Sequence, residues 1–486
     1  MNYHMVRYVL GWVLRFMTVF FLLPAIVGAY YGEVNGFVYL GCSLGCLILS
    51  LIGGWKKPDS SRIFAKEGFA AVALSWILIS LVGAIPFVIT GEIPSYLNAV
   101  FETISGFTTT GSSIITNLRV MSHCSLFWRS FTHWVGGMGV LVFIMAVLPL
   151  SGRSSMHMMK AESPGPSVNK LVPKATMTAR YLYAIYCGIT ILEMILLMIT
   201  GLTPFEASTL TFGTVGTGGF GLLSTSIQSY NLAAQIIITV FMIICSINFS
   251  VYYLLLIRKP KLAFFNEEVR WFLIMLIGAA IVITINIHGT YENIFLDFHH
   301  AMFTVAATAS TTGYAVADFN VWPALSKILI LLLMIAGACA GSTGGGFKMS
   351  RILICVKTFK NSMFKFIHPN SVRRIKLNNK IVEGTVIKQV LAYLAAYVAI
   401  AVASIILISF QGRSIDTNIS AVLATFNNIG PGLDGVGPTA SFADYNAFSK
   451  IVLMFDMLVG RLEIFPMLIL FMPSVWAFKR KKKKEF

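Results

Sequence analysis

Apolar residues occur along this chain in long runs, and the polar residues gather in short clusters between them. A helix needs about 20 apolar residues to cross the hydrocarbon core of a bilayer. Ten runs of about that length predict membrane-spanning helices, at 9–31, 36–54, 68–90, 129–150, 181–201, 232–257, 271–288, 325–356, 390–410 and 448–478. The first run shows no small-residue cleavage site and is followed by other spans, so it predicts a retained helix and not a signal peptide.

Four short polar segments, each carrying a glycine, lie between the later apolar runs. After two leading helices the chain repeats one order four times: a helix, a short re-entrant segment, the glycine signature and a second helix. The signatures are Thr108-Thr109-Thr110-Gly111, Thr217-Gly218-Gly219-Phe220, Thr311-Thr312-Gly313-Tyr314 and Asn427-Asn428-Ile429-Gly430. The positions five and six before each signature glycine are small or hydroxylated, which suits a short helix packed tightly among neighbours. The pattern predicts an all-α membrane protein in which four pseudo-symmetric helix–pore loop–helix repeats surround one ion pore.

The repeats predict how the chain is divided. Two extra transmembrane helices occupy 1–57, and the four repeats occupy 58–165, 166–262, 263–375 and 376–486, the last with a basic C-terminal tail. The second re-entrant segment also carries a helix start, with Thr203 as N-cap, Pro204 in the first turn and Glu206 three residues after the cap.

The signatures have the chemistry of an ion filter. Rings of backbone carbonyls hold potassium ions in selective pores, and glycine adopts at low cost the backbone angles that such a ring requires. A half-membrane helix that ends at a signature would direct its negative end toward a central cavity, which favours a cation there. Ordinary re-entrant turns are the alternative, but four copies at equivalent places favour the filter. The candidate potassium-binding residues are Thr110, Gly111, Gly218, Gly219, Thr312, Gly313, Ile429 and Gly430, with the register of the second segment left open by its adjacent glycines.

Residues 336–346 interrupt the eighth apolar run with a stretch rich in glycine. Each glycine in a helix costs about 1 kcal/mol relative to alanine, and unwound backbone at membrane depth is tolerated only against protein or a wet cavity. A loop beneath the filter satisfies both conditions, whereas close helix packing at glycine is the alternative. A phosphate-binding P-loop does not fit, because Phe347 precedes Lys348 and no strand comes before the glycines. The candidate gate residues are Gly341, Ser342, Thr343, Gly344, Gly345 and Gly346.

Arg461 lies about half way through the last apolar run. A cation at the centre of a membrane helix costs about 2.5–3.5 kcal/mol on insertion scales, so an intramembrane arginine is a functional candidate. We expect Arg461 to face the pore near the gate. The alternative is a structural ion pair with Asp456 or with a carboxylate on another helix.

The charges predict the orientation. Lys and Arg number 37 against 20 Asp and Glu, and 31 of these 37 cations fall on one side of the predicted topology, the side of both termini. Cytoplasmic loops carry the excess of Lys and Arg, so we expect both termini in the cytoplasm, and the basic charge needs no nucleic acid to explain it. The run 479–484 is most simply an anchor at anionic lipid, with partner docking as the alternative.

No enzyme constellation is present in the sequence. The seven cysteines show neither metal spacing nor a disulfide pattern, and His299-His300 lacks a third ligand at metal spacing. Two classes of transport protein remain: a gated potassium channel driven by the membrane potential, and a K⁺/H⁺ or K⁺/Na⁺ symporter with alternating access. The fourfold repeat favours the channel.

The chain resembles the TrkH/KtrB/HKT superfamily of potassium uptake proteins over essentially residues 1–486. The resemblance is carried by the four signatures, by Asn427–Leu433, by Ala340–Gly346 and by Gly460-Arg461-Leu462-Glu463. It implies a pseudo-fourfold pore within one subunit, filter glycines at Gly111, Gly219, Gly313 and Gly430, and a gate at 341–346 with Arg461 nearby. It also implies a homodimer in the cytoplasmic membrane and a cytosolic TrkA-like regulator that binds ATP or ADP. No cofactor is expected on this chain itself, which would carry potassium and accept rubidium.

Overall fold

The protein folds almost entirely into α-helices, and this computed structural model describes residues 3–54, 65–139 and 175–476. Apart from three single 3₁₀ turns and one short hairpin, the chain between the helices forms turns and loops. In chain order the elements are α1 (Tyr3–Tyr31), α2 (Asn35–Gly54), α3 (Ala65–Ile89), α4 (Tyr96–Phe107), α5 (His123–Gly137), α6 (Ala175–Ile199), α7 (Pro204–Val215), α8 (Leu232–Ser246), α9 (Phe249–Leu256), α10 (Pro260–Phe264), α11 (Glu267–Asn286), α12 (Ile294–Ala309), α13 (Ala324–Ala336), α14 (Met349–Ile367), β1 (Lys376–Leu377), β2 (Lys380–Ile381), α15 (Gly384–Ser409), α16 (Ile415–Phe426), α17 (Ala447–Arg461), α18 (Ile464–Ile469) and α19 (Pro473–Trp476).

Six of the described helices are long and apolar enough to cross a membrane, namely α1, α2, α3, α6, α11 and α15. Their outward faces carry large apolar side chains such as Ile26, Ile199 and Ile285, which are 64%, 75% and 72% exposed. Apolar residues on the outside of a helical bundle are what a lipid environment requires. The protein is therefore a multi-pass membrane protein.

Four short helices, α4, α7, α12 and α16, precede the four glycine signatures. Each has 12 or 16 residues, which is too short to span a bilayer, and each is buried along the half that leads to its signature. The predicted start of α7 is confirmed: the Thr203 hydroxyl accepts from the Glu206 N–H, and the Glu206 carboxylate accepts from the Thr203 N–H. The four re-entrant segments predicted from the repeat are present.

The second helix of a repeat is broken more often than the sequence indicated. The run 325–356 is interrupted as predicted, between Ala336 and Met349. The prediction of continuous helices over 232–257 and 448–478 is wrong. α8 and α9 bend by 91°, because Asn248 caps α9 and the Phe249 N–H leaves the helical pattern to bond Gly341. The last run divides into α17, α18 and α19.

The two leading helices pack as a hairpin against the first repeat. Gly28 and Gly36 allow the backbones of α1 and α2 to approach closely, and the Phe21 ring lies 4.6 Å from that of Trp128 on α5. Both of these aromatic side chains are fully buried. The predicted boundaries at 57/58 and 165/166 lie outside the described residues, so the division into repeats stays a prediction.

Candidate ion filter and intramembrane gate

The four signature segments adopt one backbone conformation. Two residues before each signature glycine, a threonine or an asparagine has positive φ, and the glycine has positive φ as well, with an ordinary residue between them. The paired values are 54° and 82° at Thr109 and Gly111, 53° and 77° at Thr217 and Gly219, 60° and 79° at Thr311 and Gly313, and 55° and 100° at Asn428 and Gly430. The left-handed region is costly for any residue with a Cβ. The same costly conformation at the equivalent position of all four segments therefore indicates a backbone geometry that the site requires. The second segment is in the register that places Gly219 with the other three glycines.

One backbone hydrogen bond closes each segment onto its short helix. The N–H of the residue before the glycine donates to the carbonyl five residues earlier, from Thr110 to Ser105, Gly218 to Gly213, Thr312 to Ala307 and Ile429 to Ala424, at 2.8, 2.8, 2.9 and 2.9 Å. The small residues at these positions are needed as well. A Cβ on Gly106 would lie 2.2 Å from the Thr132 hydroxyl, and one on Gly213 would lie 2.1 Å from the Tyr314 hydroxyl.

The four segments form a closed ring in chain order. A Cβ built on any signature glycine would collide with the carbonyl oxygen of the residue before the next glycine. The distances are 2.1 Å from Gly111 to the Gly218 oxygen, 1.9 Å from Gly219 to Thr312, 1.7 Å from Gly313 to Ile429 and 2.9 Å from Gly430 to Thr110. All eight candidate filter residues therefore meet in this ring. A cavity of about 170 Å³ opens on one side of it, lined by the four glycines and by polar residues such as Ser112.

Side chains join neighbouring segments across the repeats. Asn428 donates to the Thr110 hydroxyl and to the Met457 carbonyl, both at 2.9 Å, and Ser112 donates to the Gly430 carbonyl at 3.1 Å. These bonds tie the fourth segment to the first. The hydroxyl of Tyr314, the residue after Gly313, donates to the Leu210 carbonyl at 3.0 Å and ties the third repeat to the second.

His133 on α5 explains the adjacent glycines of the second segment. Its Nε2 accepts from the Phe220 N–H at 3.3 Å, so its Nδ1 carries the proton that is donated to the Gly106 carbonyl at 2.7 Å. A Cβ on Gly218 would lie 2.2 Å from the His133 imidazole. The imidazole therefore leaves no room at position 218 for a side chain such as those of Thr110, Thr312 and Ile429 in the other repeats. His133 was not predicted as a site residue from the sequence. The missing side chain at 218 was the signal for it.

The gate candidate is an irregular loop, residues 337–348, between α13 and α14. Positive φ values of 64°, 77°, 79° and 78° occur at Gly337, Gly341, Gly346 and Lys348. The loop lies against the third and fourth signature segments: the Gly345 N–H donates to the Thr311 hydroxyl at 2.6 Å, and a Cβ on Gly345 would lie 2.4 Å from the Asn427 carbonyl oxygen.

The same loop pairs with the break between α8 and α9. The Cys339 N–H donates to the Ser246 carbonyl at 3.0 Å, the Thr343 hydroxyl donates to the Cys245 carbonyl at 3.1 Å, and the Phe249 N–H donates to the Gly341 carbonyl at 3.0 Å. Backbone N–H and carbonyl groups left unpaired by the break in one repeat thus form hydrogen bonds with the unwound loop of another. This pairing meets the condition under which irregular backbone persists at membrane depth.

Arg461 joins the loop to the first repeat. Its Nη1 donates to the Thr343 carbonyl at 2.6 Å, and its Nη2 donates to the Gly136 and Gly137 carbonyls at 2.5 and 2.6 Å. The prediction that Arg461 lies half way along a continuous helix is wrong, because Arg461 is the last residue of α17. The alternative partner Asp456 instead accepts from the Ser404 hydroxyl at 2.7 Å.

Two charged residues of the loop region gave no sequence signal. Glu268, near the start of α11, is 5% exposed, and its Oε1 accepts from the N–H groups of Ala340 and Ser350 at 2.7 and 3.0 Å, one at each end of the loop. Buried Lys348 donates to the Gly344 carbonyl within the loop. An acid in the first turn of a helix ordinarily stabilises the helix itself, so nothing local to Glu268 connects it with the loop.

Metal-binding side chains do not converge in the described part of the chain. No group of three His, Cys, Asp or Glu residues there could hold a metal ion, and all seven cysteines are free thiols. His299 instead contacts the Gln235 amide oxygen at 2.8 Å.

Comparison with known proteins agrees with this architecture. The profile of the TrkH family, described as cation transport protein, matches residues 43–479. The chain belongs to the TrkH family. TrkH family members named Trk system potassium uptake protein TrkH, from Salmonella typhimurium and Halomonas elongata, are 31% and 32% identical over 484 and 485 residues, and each alignment covers 98% of this chain and all of the relative.

A TrkH structure shares the fold along nearly the whole chain. The crystal structure of the potassium transporter TrkH from Vibrio parahaemolyticus matches with a TM-score of 0.88 at 30% identity, covering 98% of this chain and 100% of that one. These TrkH relatives are named as transporters, which confirms the prediction that the chain is not an enzyme. The predicted all-α membrane fold is confirmed as well.

Proposed function

We propose that this chain takes up potassium across the cytoplasmic membrane through a channel-like pore. The observation that carries the proposal is the closed ring of four segments with one shared backbone conformation, each glycine against the carbonyl of the next segment. Carbonyl rings replace the hydration shell of potassium in selective pores. The names of the relatives, Trk system potassium uptake protein and potassium transporter, support the same ion.

The eight ring residues would form the binding site, and rubidium would be a close substitute for potassium. Each short helix ends at its signature, so the negative ends of α4, α7, α12 and α16 converge on the ring and favour a cation over an anion. No side-chain carboxylate among the residues lining the cavity outside the ring competes with the carbonyls.

The loop 341–346 would be the gate, held by Arg461. A regulator changes an equilibrium by a coupling free energy of typically about 1–3 kcal/mol, so the gate must be a weakly held element. The loop fits this requirement because it is irregular, and its contacts with Thr311, Glu268 and Arg461 are individual hydrogen bonds: Thr311 and Glu268 accept from loop N–H groups, and Arg461 donates to a loop carbonyl. A continuous helix would be far harder to shift.

Regulation by nucleotide would come from a separate cytosolic subunit of the TrkA type. Residues 347–388, which include α14 and the exposed β1–β2 hairpin, carry ten Lys and Arg and would form the inner docking face. Both termini would then be cytoplasmic, in agreement with the positive-inside rule. A homodimer is proposed from the resemblance to the family.

Selective growth of a potassium-uptake-deficient bacterial strain tests the function. The chain should restore growth at low potassium, and Gly111→Ser should let sodium compete, because a Cβ at Gly111 would lie 2.1 Å from the Gly218 carbonyl oxygen. Failure of the parent chain to restore growth, although present in the membrane, would refute potassium uptake. A Gly111→Ser variant with the parent's potassium preference would refute the filter assignment alone.

A further inference from the structure

A buried ion pair lies behind the first two filter segments. Arg129 on α5 donates from Nε to the Glu102 Oε1 on α4 at 2.6 Å. The Arg129 side chain is 4% exposed, and the Glu102 side chain is fully buried. Glu102 occurs in one repeat: counted nine residues back from the glycine, the other three repeats carry Leu210, Thr304 and Ala421. The pair therefore breaks the fourfold pattern at the junction of the first and second segments.

Glu102 accepts hydrogen bonds from the residues that follow Gly111. Its Oε2 accepts from the Ile114 N–H at 2.9 Å, and its Oε1 accepts from the Ser113 hydroxyl at 2.9 Å. The carboxylate thus connects the short helix before the first segment with the loop residues after it. The first segment is held at both ends by one side chain.

Arg129 extends the same connection to the second segment. Its Nη1 donates to the Gly221 carbonyl at 3.0 Å, and its guanidinium lies 3.5 Å from the centre of the Phe220 ring. Gly221 and Phe220 directly follow Gly219. One guanidinium therefore bonds the carboxylate that fixes the first segment and the backbone that leaves the second.

We propose that Glu102 and Arg129 are positioning residues that set the spacing of the first two filter segments and thereby the preference for potassium over sodium. The inference rests on the proposed filter and adds to it two side chains that supply no carbonyl to the ring, although Arg129 also lines the cavity beside it. Glu102 is not a cation attractor at the pore mouth, because its charge is buried and neutralised by Arg129. Removing one partner leaves the other as an uncompensated buried charge, which is strongly unfavourable, so the surrounding backbone must rearrange.

The experiment measures sodium and rubidium uptake by the purified chain in liposomes. The ratio of the two fluxes does not depend on how much protein folds or inserts. The variants are Glu102→Gln, Arg129→Gln and the double variant, with Glu92→Gln as the matched control. Glu92 is also an outer-side acid that accepts backbone and hydroxyl hydrogen bonds, from Ser122 at 2.8 and 2.7 Å, but it does not contact the filter segments.

We expect each single variant to lower the rubidium-to-sodium ratio by roughly tenfold, since displacements of about 1 Å in positioned groups cost up to about a hundredfold. The double variant should be no worse than either single one, because it leaves no uncompensated buried charge. Glu92→Gln should keep the parent ratio. Ser113→Ala removes the hydroxyl's bonds to the Glu102 carboxylate and to the Ile115 N–H but no charge. It should lower the ratio less, and it serves if the charge variants do not fold.

Two results would overturn the inference. If the single variants keep the parent ratio, the pair does not set the filter spacing. If Glu102→Gln raises the KM for rubidium while Arg129→Gln lowers it, with the ratio unchanged, the residues act through their charge on the approaching ion. A parent protein that does not discriminate between rubidium and sodium would refute the proposed filter itself, which distinguishes that failure from failure of the pair.

Discussion

Replacing Gly313 by alanine tests the ring where it is tightest. A Cβ at Gly313 would lie 1.7 Å from the Ile429 carbonyl oxygen and 2.8 Å from Pro431 Cδ, whereas real Cβ contacts essentially never fall below 3.0 Å. The two groups must separate, and the carbonyl of the neighbouring segment belongs to the ring itself. A shift of roughly 1 Å in a positioned group can cost about a hundredfold in rate.

The backbone cost of this substitution can be separated from the crowding. Gly313 has φ 79°, and a residue with a Cβ pays about 1–2 kcal/mol in that left-handed region. Gly289 in the same repeat has φ 82° but no atom within 4 Å of a built Cβ. Gly289→Ala therefore carries the same backbone cost without the collision, and it is the matched control.

The assay is uptake of rubidium and sodium into liposomes that contain each purified variant, together with the thermal unfolding midpoint in detergent. We expect both variants to unfold at lower temperature than the parent. Only Gly313→Ala should lose selectivity, with a fall of about tenfold or more in the rubidium-to-sodium ratio. Equal selectivity in Gly313→Ala and the parent, with rubidium flux retained, would refute the assignment of this ring as the filter.

Three further predictions concern the gate, a helix start and the docking face. Arg461→Ala should raise rubidium flux and loosen its dependence on the regulator, because it removes the bond to the loop carbonyl of Thr343 and the two bonds that anchor Arg461 to α5; lower flux in a folded variant would make the loop structural. Thr203→Ala should cost about 1 kcal/mol of stability through loss of an N-cap and leave the flux ratio unchanged, and a changed ratio would contradict its purely structural place. Arg374→Glu combined with Lys380→Glu, both exposed near the hairpin, should abolish co-purification of a cytosolic regulator without altering selectivity, and unchanged co-purification would exclude this face.

The periodicity and the repeated signature predicted much of the fold because both are local in sequence. Apolar length identified the six long apolar helices, and the spacing of small residues before each glycine located the four re-entrant helices. The capping residues Thr203 and Glu206 fixed the start of α7 for the same reason: their partners lie three residues apart. Glycine content likewise located the interruption between α13 and α14.

The sequence could not predict features that depend on contacts between repeats. The break after α8 is stabilised by bonds to a loop about a hundred residues later, through Cys339 and Gly341. His133 and Glu268 act on backbone of distant segments, and each looks ordinary within its own helix. Arg461 was predicted as a functional residue from its charge, but its carbonyl partners Gly136 and Thr343 come from two other repeats. Such pairings require the three-dimensional arrangement.

Ion flux into liposomes under a controlled membrane potential is the most direct test of a potassium-selective, channel-like pore. The purified chain should take up potassium or rubidium when the interior is negative, with little sodium flux, and a superimposed proton or sodium gradient should not change the rate. Uptake that requires a proton or sodium gradient would favour a symporter with alternating access. Equal rates for sodium and rubidium would contradict the assignment of the four carbonyl segments as a potassium filter.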